Sequence, residues 1–270
     1  MSARLKNRVA WVSGASSGMG EGIAKLFARE GAAVALVDVQ AEKGRGIARE
    51  ICAEGGQAIF IRCDVSREAS VRDSMARTVQ VFGGLDIIVN CAGIVQVKLL
   101  HELKEADWDR LMGINVKSIF FSLKHGIRHL KKRQRSYVVN IGSVGSFVGQ
   151  SSTPAYTASK GAVMQLSKSI ALDYAADGVR CNCVCPGITD TPMLREHLNM
   201  HARPEAALRA RLRRVPMGVP LSPDDIAKAV LYFSCEDSAG VTGTTLVVDG
   251  GYLTAAEWVH PGKTRFMEPQ

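Results

Sequence analysis

The sequence predicts an α/β fold, a single doubly wound parallel sheet of about seven strands flanked by helices, with a helical insertion late in the chain. Three observations predict it. Short apolar, β-branched runs alternate with amphipathic helical patterns along most of the 270 residues, the signature of helices covering both faces of a sheet. The runs are nearly continuously apolar, as in strands buried on both sides, and do not alternate as a half-solvated antiparallel sheet would. A composition of 46% hydrophobic and 22% charged residues supplies a large core and excludes a disordered chain.

Taken in order, the strands are expected at Val9–Ser13, Ala33–Val37, Ala58–Arg62, Asp86–Asn90, Tyr137–Ile141, Val179–Val184 and Leu246–Val248. Helices are expected near 19–30, 41–54, 67–82, 107–131, 156–176 and 223–235. Ser222-Pro223-Asp224-Asp225 places a cap, a first-turn proline and two acids at the last of these. Gly31 and Gly178 follow the ends of two others. Two segments stand outside the alternation: an arginine-rich helical insertion at 188–221, and a tail from Tyr252 carrying Trp258 and Phe266. The organisation expected is one domain over 1–251, with the tail 252–270 packed on a neighbouring subunit or over the mouth of the site.

No apolar stretch is long enough for a bilayer, and the start shows no signal-peptide core, so a cytoplasmic protein is expected. Seven scattered cysteines fit free thiols in a reducing compartment. Cys183 is expected to face away from Cys181 and Cys185, and no metal site is predicted. The net charge of +8 from 34 basic and 26 acidic residues raises the question of nucleic acid. The first basic cluster, Lys131, Lys132, Arg133 and Arg135, closes a helix, where cations complement the dipole. No nucleic-acid partner is expected.

The chemistry starts at Ser13-Gly14-Ala15-Ser16-Ser17-Gly18-Met19-Gly20, between the first strand and its helix. Glycines there let a backbone approach a pyrophosphate, whose charge rests on the helix N-terminus. The second strand leads into Asp38, placed to accept hydrogen bonds from ribose hydroxyls and to repel a 2′-phosphate. Val39 beside it offers no cation. The cofactor expected is therefore NAD.

The glycine spacing, with Ser13 for threonine, resembles the T-G-x-x-x-G-x-G of the short-chain dehydrogenase/reductase family, a Rossmann-type fold. The resemblance extends along the chain. Cys63-Asp64-Val65 resembles the family's D-V element, which implies that Asp64 meets the adenine with Val65 beside it. Asn90-Cys91-Ala92-Gly93 is similar to its N-N-A-G element, bordering the cofactor through Asn90, Ala92 and Gly93, with Cys91 in place of an asparagine. Tyr156 and Lys160 form Y-x-x-x-K, one helical turn apart. A tyrosine is a poor base at neutral pH unless a nearby cation favours its phenolate.

By the same resemblance Ser143 positions the substrate oxygen, and Asn115 completes a catalytic set of Asn115, Ser143, Tyr156 and Lys160. Pro186, Gly187, Ile188 and Thr191 are implied to hold the nicotinamide carboxamide. Val241-Thr242-Gly243 and Val248-Asp249-Gly250-Gly251 match the last strand region. The activity implied is reversible hydride transfer between NAD and a secondary alcohol or hemiacetal such as a sugar, polyol or hydroxy acid, in a homotetramer.

Residues expected near the reacting carbon are Ile94, Val95, Gln96, Gly145, Val148, Gln150, Ile188 and Met193, with Gln96 and Gln150 as polar substrate contacts. The insertion sets Arg195, His197, His201, Arg203, Arg209, Arg211, Arg213 and Arg214 against Glu196 and Glu205, which reads as a solvated face or as one where one or two of the arginines meet an anionic substrate group. Arg195 is the first candidate for that contact. The sequence also admits an NADPH-dependent carbonyl or 3-oxoacyl-thioester reductase, a hydroxysteroid dehydrogenase, and an inactive dinucleotide-binding regulator.

Overall fold

The computed structural model describes residues 3–254. Seven parallel strands, β1 (Val9–Ser13), β2 (Ala33–Asp38), β3 (Gln57–Arg62), β4 (Ile87–Asn90), β5 (Ser136–Ile141), β6 (Val179–Pro186) and β7 (Thr245–Val248), lie in the order β3-β2-β1-β4-β5-β6-β7. The chain builds outward from β1 in one direction, then returns to its other side. A crevice therefore opens at the carboxyl ends of β1 and β4, where such sheets bind ligands.

The helices are α1 (Gly18–Arg29), α2 (Ala41–Ala53), α3 (Glu68–Phe82), α4 (Glu105–Met112), α5 (Ser118–Leu130), α6 (Pro154–Tyr174), α7 (Pro192–Asn199), α8 (Pro204–Leu212) and α9 (Pro223–Phe233). Each sheet face carries its own apolar cluster. One joins Val12, Leu36 and Val139 to Ile23, Phe27, Ile226 and Val230. The other joins Trp11, Val37 and Val138 to Met75, Phe121, Val163 and Ile170. Strands clamped between two such layers need apolar residues at every position, which is why β1 and β4 are buried throughout.

Two expectations are corrected, the unbroken helix at 107–131 and the opposed facing of the cysteines. The helix expected over 107–131 is two, because a π-type turn at Gly113–Lys117 interrupts it. There Asn115 sends its side chain to the backbone of Ile94, and an extra residue in the helix re-aims it. The insertion is helical as expected and consists of α7 and α8, each opened by a proline at its first turn. Cys181, Cys183 and Cys185 all face the same cluster, as the two-residue period of a strand requires, with Sγ of Cys183 and Cys185 3.8 Å apart. The hydrogen bond between them pushes the Cys183 thiol upward and holds Cys185 below its ordinary range.

Among the described residues, no helix is long and apolar enough to cross a membrane, and no cluster of His, Cys, Asp or Glu is placed to hold a metal ion. The expected packing of the tail, with Trp258 and Phe266, lies outside the described residues.

Arg180, on β6, shows what fixes the far end of the sheet. It is 8% exposed, stacks 4.4 Å from the Tyr137 ring centroid, and donates to the carbonyls of Ser238, Val241 and Cys235. Removing a buried cation that satisfies several carbonyls leaves them dry and unpaired. Arg180→Leu should lower unfolding stability by about 3 kcal/mol, read as a fall in the urea midpoint; an unchanged midpoint would count against this account.

Candidate active site

The first strand ends in a turn whose glycines are demanded by space. Gly14 has φ +68°, and a Cβ on it would stand 2.9 Å from Cα of Ala92. A Cβ on Gly20 would stand 2.1 Å from the carbonyl oxygen of Gly14. The turn is thus folded tightly onto the segment after β4. Ser13 completes the join: its hydroxyl donates to the Val89 carbonyl and accepts from the amides of Cys91 and Ala92. A serine therefore serves where the family pattern has threonine.

At the neighbouring strand end, Asp38 is 8% exposed. One carboxylate oxygen accepts from the amide of Ser16 at 3.1 Å, the other from the amide of Gln40 at 3.0 Å. Two amide bonds orient the carboxylate and leave further lone pairs for a ligand. Val39 beside it is 55% exposed and uncharged. Ser17 is the N-cap of α1, and the Thr191 side chain would meet a Cβ on Gly18 at 3.2 Å, so the nucleotide turn and the loop after β6 touch. Asp64 binds its own loop, accepting from the amide and hydroxyl of Ser66, and Val65 is buried beside it. Asn90 lies inside the sheet, donating to Asn140 on β5 at 2.8 Å. Asn140 in turn donates to Ser167 on α6, a buried polar relay that sequence reasoning missed beyond Asn90.

A cavity of about 710 Å³ adjoins this crevice. Its wall brings together Ser143, Tyr156 and Lys160 with Met19, Gly93, Pro186, Gly187, Ile188 and Thr191. Tyr156 and Lys160 stand on one face of α6, Nζ 5.6 Å from the phenol centroid. Lys160 is 5% exposed, and its ammonium donates to the Ile141 carbonyl at the end of β5 at 2.7 Å.

Just beyond β5, Ser143 opens a one-turn 3-10 helix and accepts from the Gly145 amide at 3.1 Å. Among the described residues its hydroxyl donates to no protein atom, which leaves its proton for a ligand oxygen. Ser146 ties this turn to α6 by accepting from the Ser143 amide and donating to the Lys160 carbonyl. Behind them, Asn115 brackets Ile94 through both its amide and carbonyl, at 2.9 and 3.0 Å, and donates to Ser159. Ser159 passes the bond on to the Tyr156 carbonyl. Asn115 is thus a positioning residue for the loop after β4 and for α6.

Cys91 lines the cavity. Burial pushes its thiol up to about 12, against the pull of Lys160, so it stays neutral beside the ammonium.

The expected substrate contacts divide. Val95, Gln150, Ile188 and Met193 line the cavity; Ile94, Gln96, Gly145 and Val148 do not. Arg195 is also absent from the wall: its guanidinium grips Asp190 through two bonds of 2.9 Å and is 69% exposed. The Arg195 expectation is corrected for that reason, since Asp190, five residues upstream, takes the charge that was assigned to a ligand. In its place the wall carries His197, His201, Arg211, Arg214 and Tyr252.

The chain is similar to known proteins over most of its length. A family model described as enoyl-(acyl carrier protein) reductase matches residues 14–253. A 2-(S)-hydroxypropyl-CoM dehydrogenase of Xanthobacter autotrophicus is 38% identical over 252 residues, covering 93% of this chain and 98% of that protein. A cis-4-hydroxycyclohexanecarboxylate dehydrogenase of Sinomonas cyclohexanicum is 38% identical over 253 residues, covering 93% and 99%. The solved structure of an aldohexose dehydrogenase from Thermoplasma acidophilum superposes with a TM-score of 0.88 at 30% identity, covering 97% of this chain and 100% of that one. With fold, strand order and sequence in accord over nearly the whole length, the chain belongs to the short-chain dehydrogenase/reductase family of oxidoreductases.

Proposed function

We propose that this protein is an NAD-dependent dehydrogenase that reversibly oxidises a secondary alcohol or hemiacetal, with Tyr156 as the general acid/base. The observation that carries the reading is the convergence of Ser143, Tyr156 and Lys160 on one cavity wall at the carboxyl edge of the sheet. The relatives support the reaction class, being named for a hydroxypropyl compound, a hydroxycyclohexanecarboxylate and an aldohexose.

The crevice suits a dinucleotide on its own evidence. The turn around Gly14 and Gly20 leaves no room for side chains, and Asp38 presents an oriented carboxylate next to it. Gly14, Ser16, Ser17, Gly18, Met19 and Gly20 would hold the pyrophosphate side, and Asp38 the adenosine ribose, with Val39, Asp64, Val65, Asn90 and Ala92 around the adenosine half. Gly93, Pro186, Gly187, Ile188 and Thr191 would border the nicotinamide. When bound, NAD supplies the hydride acceptor. A carboxylate at Asp38 with no cation at position 39 disfavours a 2′-phosphate, which selects NAD over NADP.

In this reading the protein's own part is proton handling and orientation. Ser143 donates a hydrogen bond from its free hydroxyl to the substrate oxygen and holds it beside Tyr156. Tyr156 removes the alcohol proton as a phenolate, or returns it in the reverse direction. Lys160 supports the phenolate with a positive charge held in a nearly dry site, where charge–charge interactions are strong. Assembly as a tetramer through α5 and α6 belongs to the same proposal, supported by Phe120 and Leu172, which are 52% and 82% exposed on those helices.

Tyr156→Phe should reduce kcat by about 10³-fold while NADH binding, followed by fluorescence, stays within twofold; undiminished turnover would remove Tyr156 from the mechanism. The cofactor argument has its own test. Asp38→Ser should reduce the ratio of kcat/KM for NAD over NADP by at least about 10-fold, and a wild-type enzyme that favours NADP would refute it.

A further inference from the structure

Arg211, on α8, occupies an unusual place among the insertion's cations. Its Nη2 lies 3.3 Å from Nε2 of His197 and 3.3 Å from Nε2 of His201, both on the α7 side. The two imidazoles stack with ring centroids 6.0 Å apart. Burial, the Arg211 charge and His201 all lower the His197 pKa, which keeps that ring neutral and able to accept from the guanidinium. Arg211 is thus anchored by two imidazoles. Its neighbours Arg195 and Arg209 each meet a carboxylate, Asp190 and Glu205.

Among the described residues, no carboxylate lies within 4.0 Å of Arg211 or Arg214, and no aspartate or glutamate lines the cavity. Arg214 instead stacks over Tyr252, with Cζ 5.1 Å from the ring centroid. Two guanidinium groups, one partly buried, therefore face the same cavity as Ser143 and Tyr156 with no carboxylate partner among the described residues. A guanidinium taken from water without a counter-ion is costly, and a site that holds one so is complementary to an oxyanion, which its planar donor fork matches.

We infer that Arg211, with Arg214, forms a subsite for an anionic group on the substrate, so that the alcohol oxidised carries a carboxylate, sulfonate or phosphate remote from its reacting carbon. This rests on the dehydrogenase reading above for the identity of the bound molecule as the alcohol substrate, but the anion contact itself is independent of turnover. Arg211 acts in binding, with Arg214 as the second cation and His197 and His201 as positioning residues.

The test is calorimetric titration of the full-length protein in the presence of NADH, using butane-1-sulfonate and, as a neutral match, butyramide. The sulfonate should bind at least about 10-fold more tightly than the amide. Arg211→Gln should abolish that difference, and Arg211→Lys should restore part of it. NADH affinity should stay within twofold in both variants. Arg214→Gln serves as a second variant, expected to weaken the sulfonate alone, should Arg211→Gln fold poorly by circular dichroism.

Equal affinity for the two probes, or sulfonate binding that survives both glutamine variants, would overturn the subsite. A parallel loss of NADH affinity would overturn it too, by assigning the arginines to the cofactor. Because binding is read without catalysis, these results stand apart from the outcome of Tyr156→Phe.

Discussion

A buried ammonium is the constraint around which this site is organised. Lys160 has three protons to place and almost no water to place them in, and the protein offers one of them a carbonyl at the end of β5. That contact requires α6 to lie across the carboxyl edge of the sheet at a fixed height. Ser146 locks the height by bonding both the Ser143 turn and the backbone of Lys160. Asn115 locks the neighbouring loop through Ile94 and reaches α6 through Ser159. The remaining capacity of the ammonium is turned toward the cavity, where Tyr156 shares its helix face. Isolated charges are poorly tolerated in protein interiors, so the surrounding geometry admits little variation.

Much of this could be read in the residues alone, for identifiable reasons. Strands buried on both faces leave continuous apolar runs, and all seven were found with boundaries shifted by at most two residues. The exact spacing from Tyr156 to Lys160 follows from helix periodicity, and the position of Ser143 follows from its place just past a strand. Asp38 was recognisable because the strand that carries it has no other polar residue.

What escaped depended on side chains far apart in sequence or on local competition. The π-type turn at Asn115 arises because an amide finds better partners in the Ile94 backbone than a regular helix provides, and no periodicity announces it. Arg195 was misassigned because charge density on a helix does not say which arginine has a carboxylate partner; Asp190 decides that only in three dimensions. The common orientation of Cys181, Cys183 and Cys185 was available from strand geometry and was misjudged. The substrate-facing wall from His197 to Arg214 was visible as composition, whereas the anchoring of Arg211 by two imidazoles was not.

The strand order carries a consequence for how the molecule is made. Every strand joins an edge already present: β2 joins β1, β3 joins β2, then β4 takes the free side of β1 and β5, β6 and β7 follow outward. No strand must be threaded between two that are already paired. A chain emerging from the ribosome can therefore extend its sheet with native neighbours from the first hairpinless βαβ unit onward, and domains that grow in this way avoid the late, long-range insertions that slow folding. The adenosine half of the crevice takes shape with the first three strands, while the proton-handling half waits for β5 and α6. Synthesis thus proceeds from recognition toward reactivity, and an interrupted chain would hold the means to bind before it held the means to react.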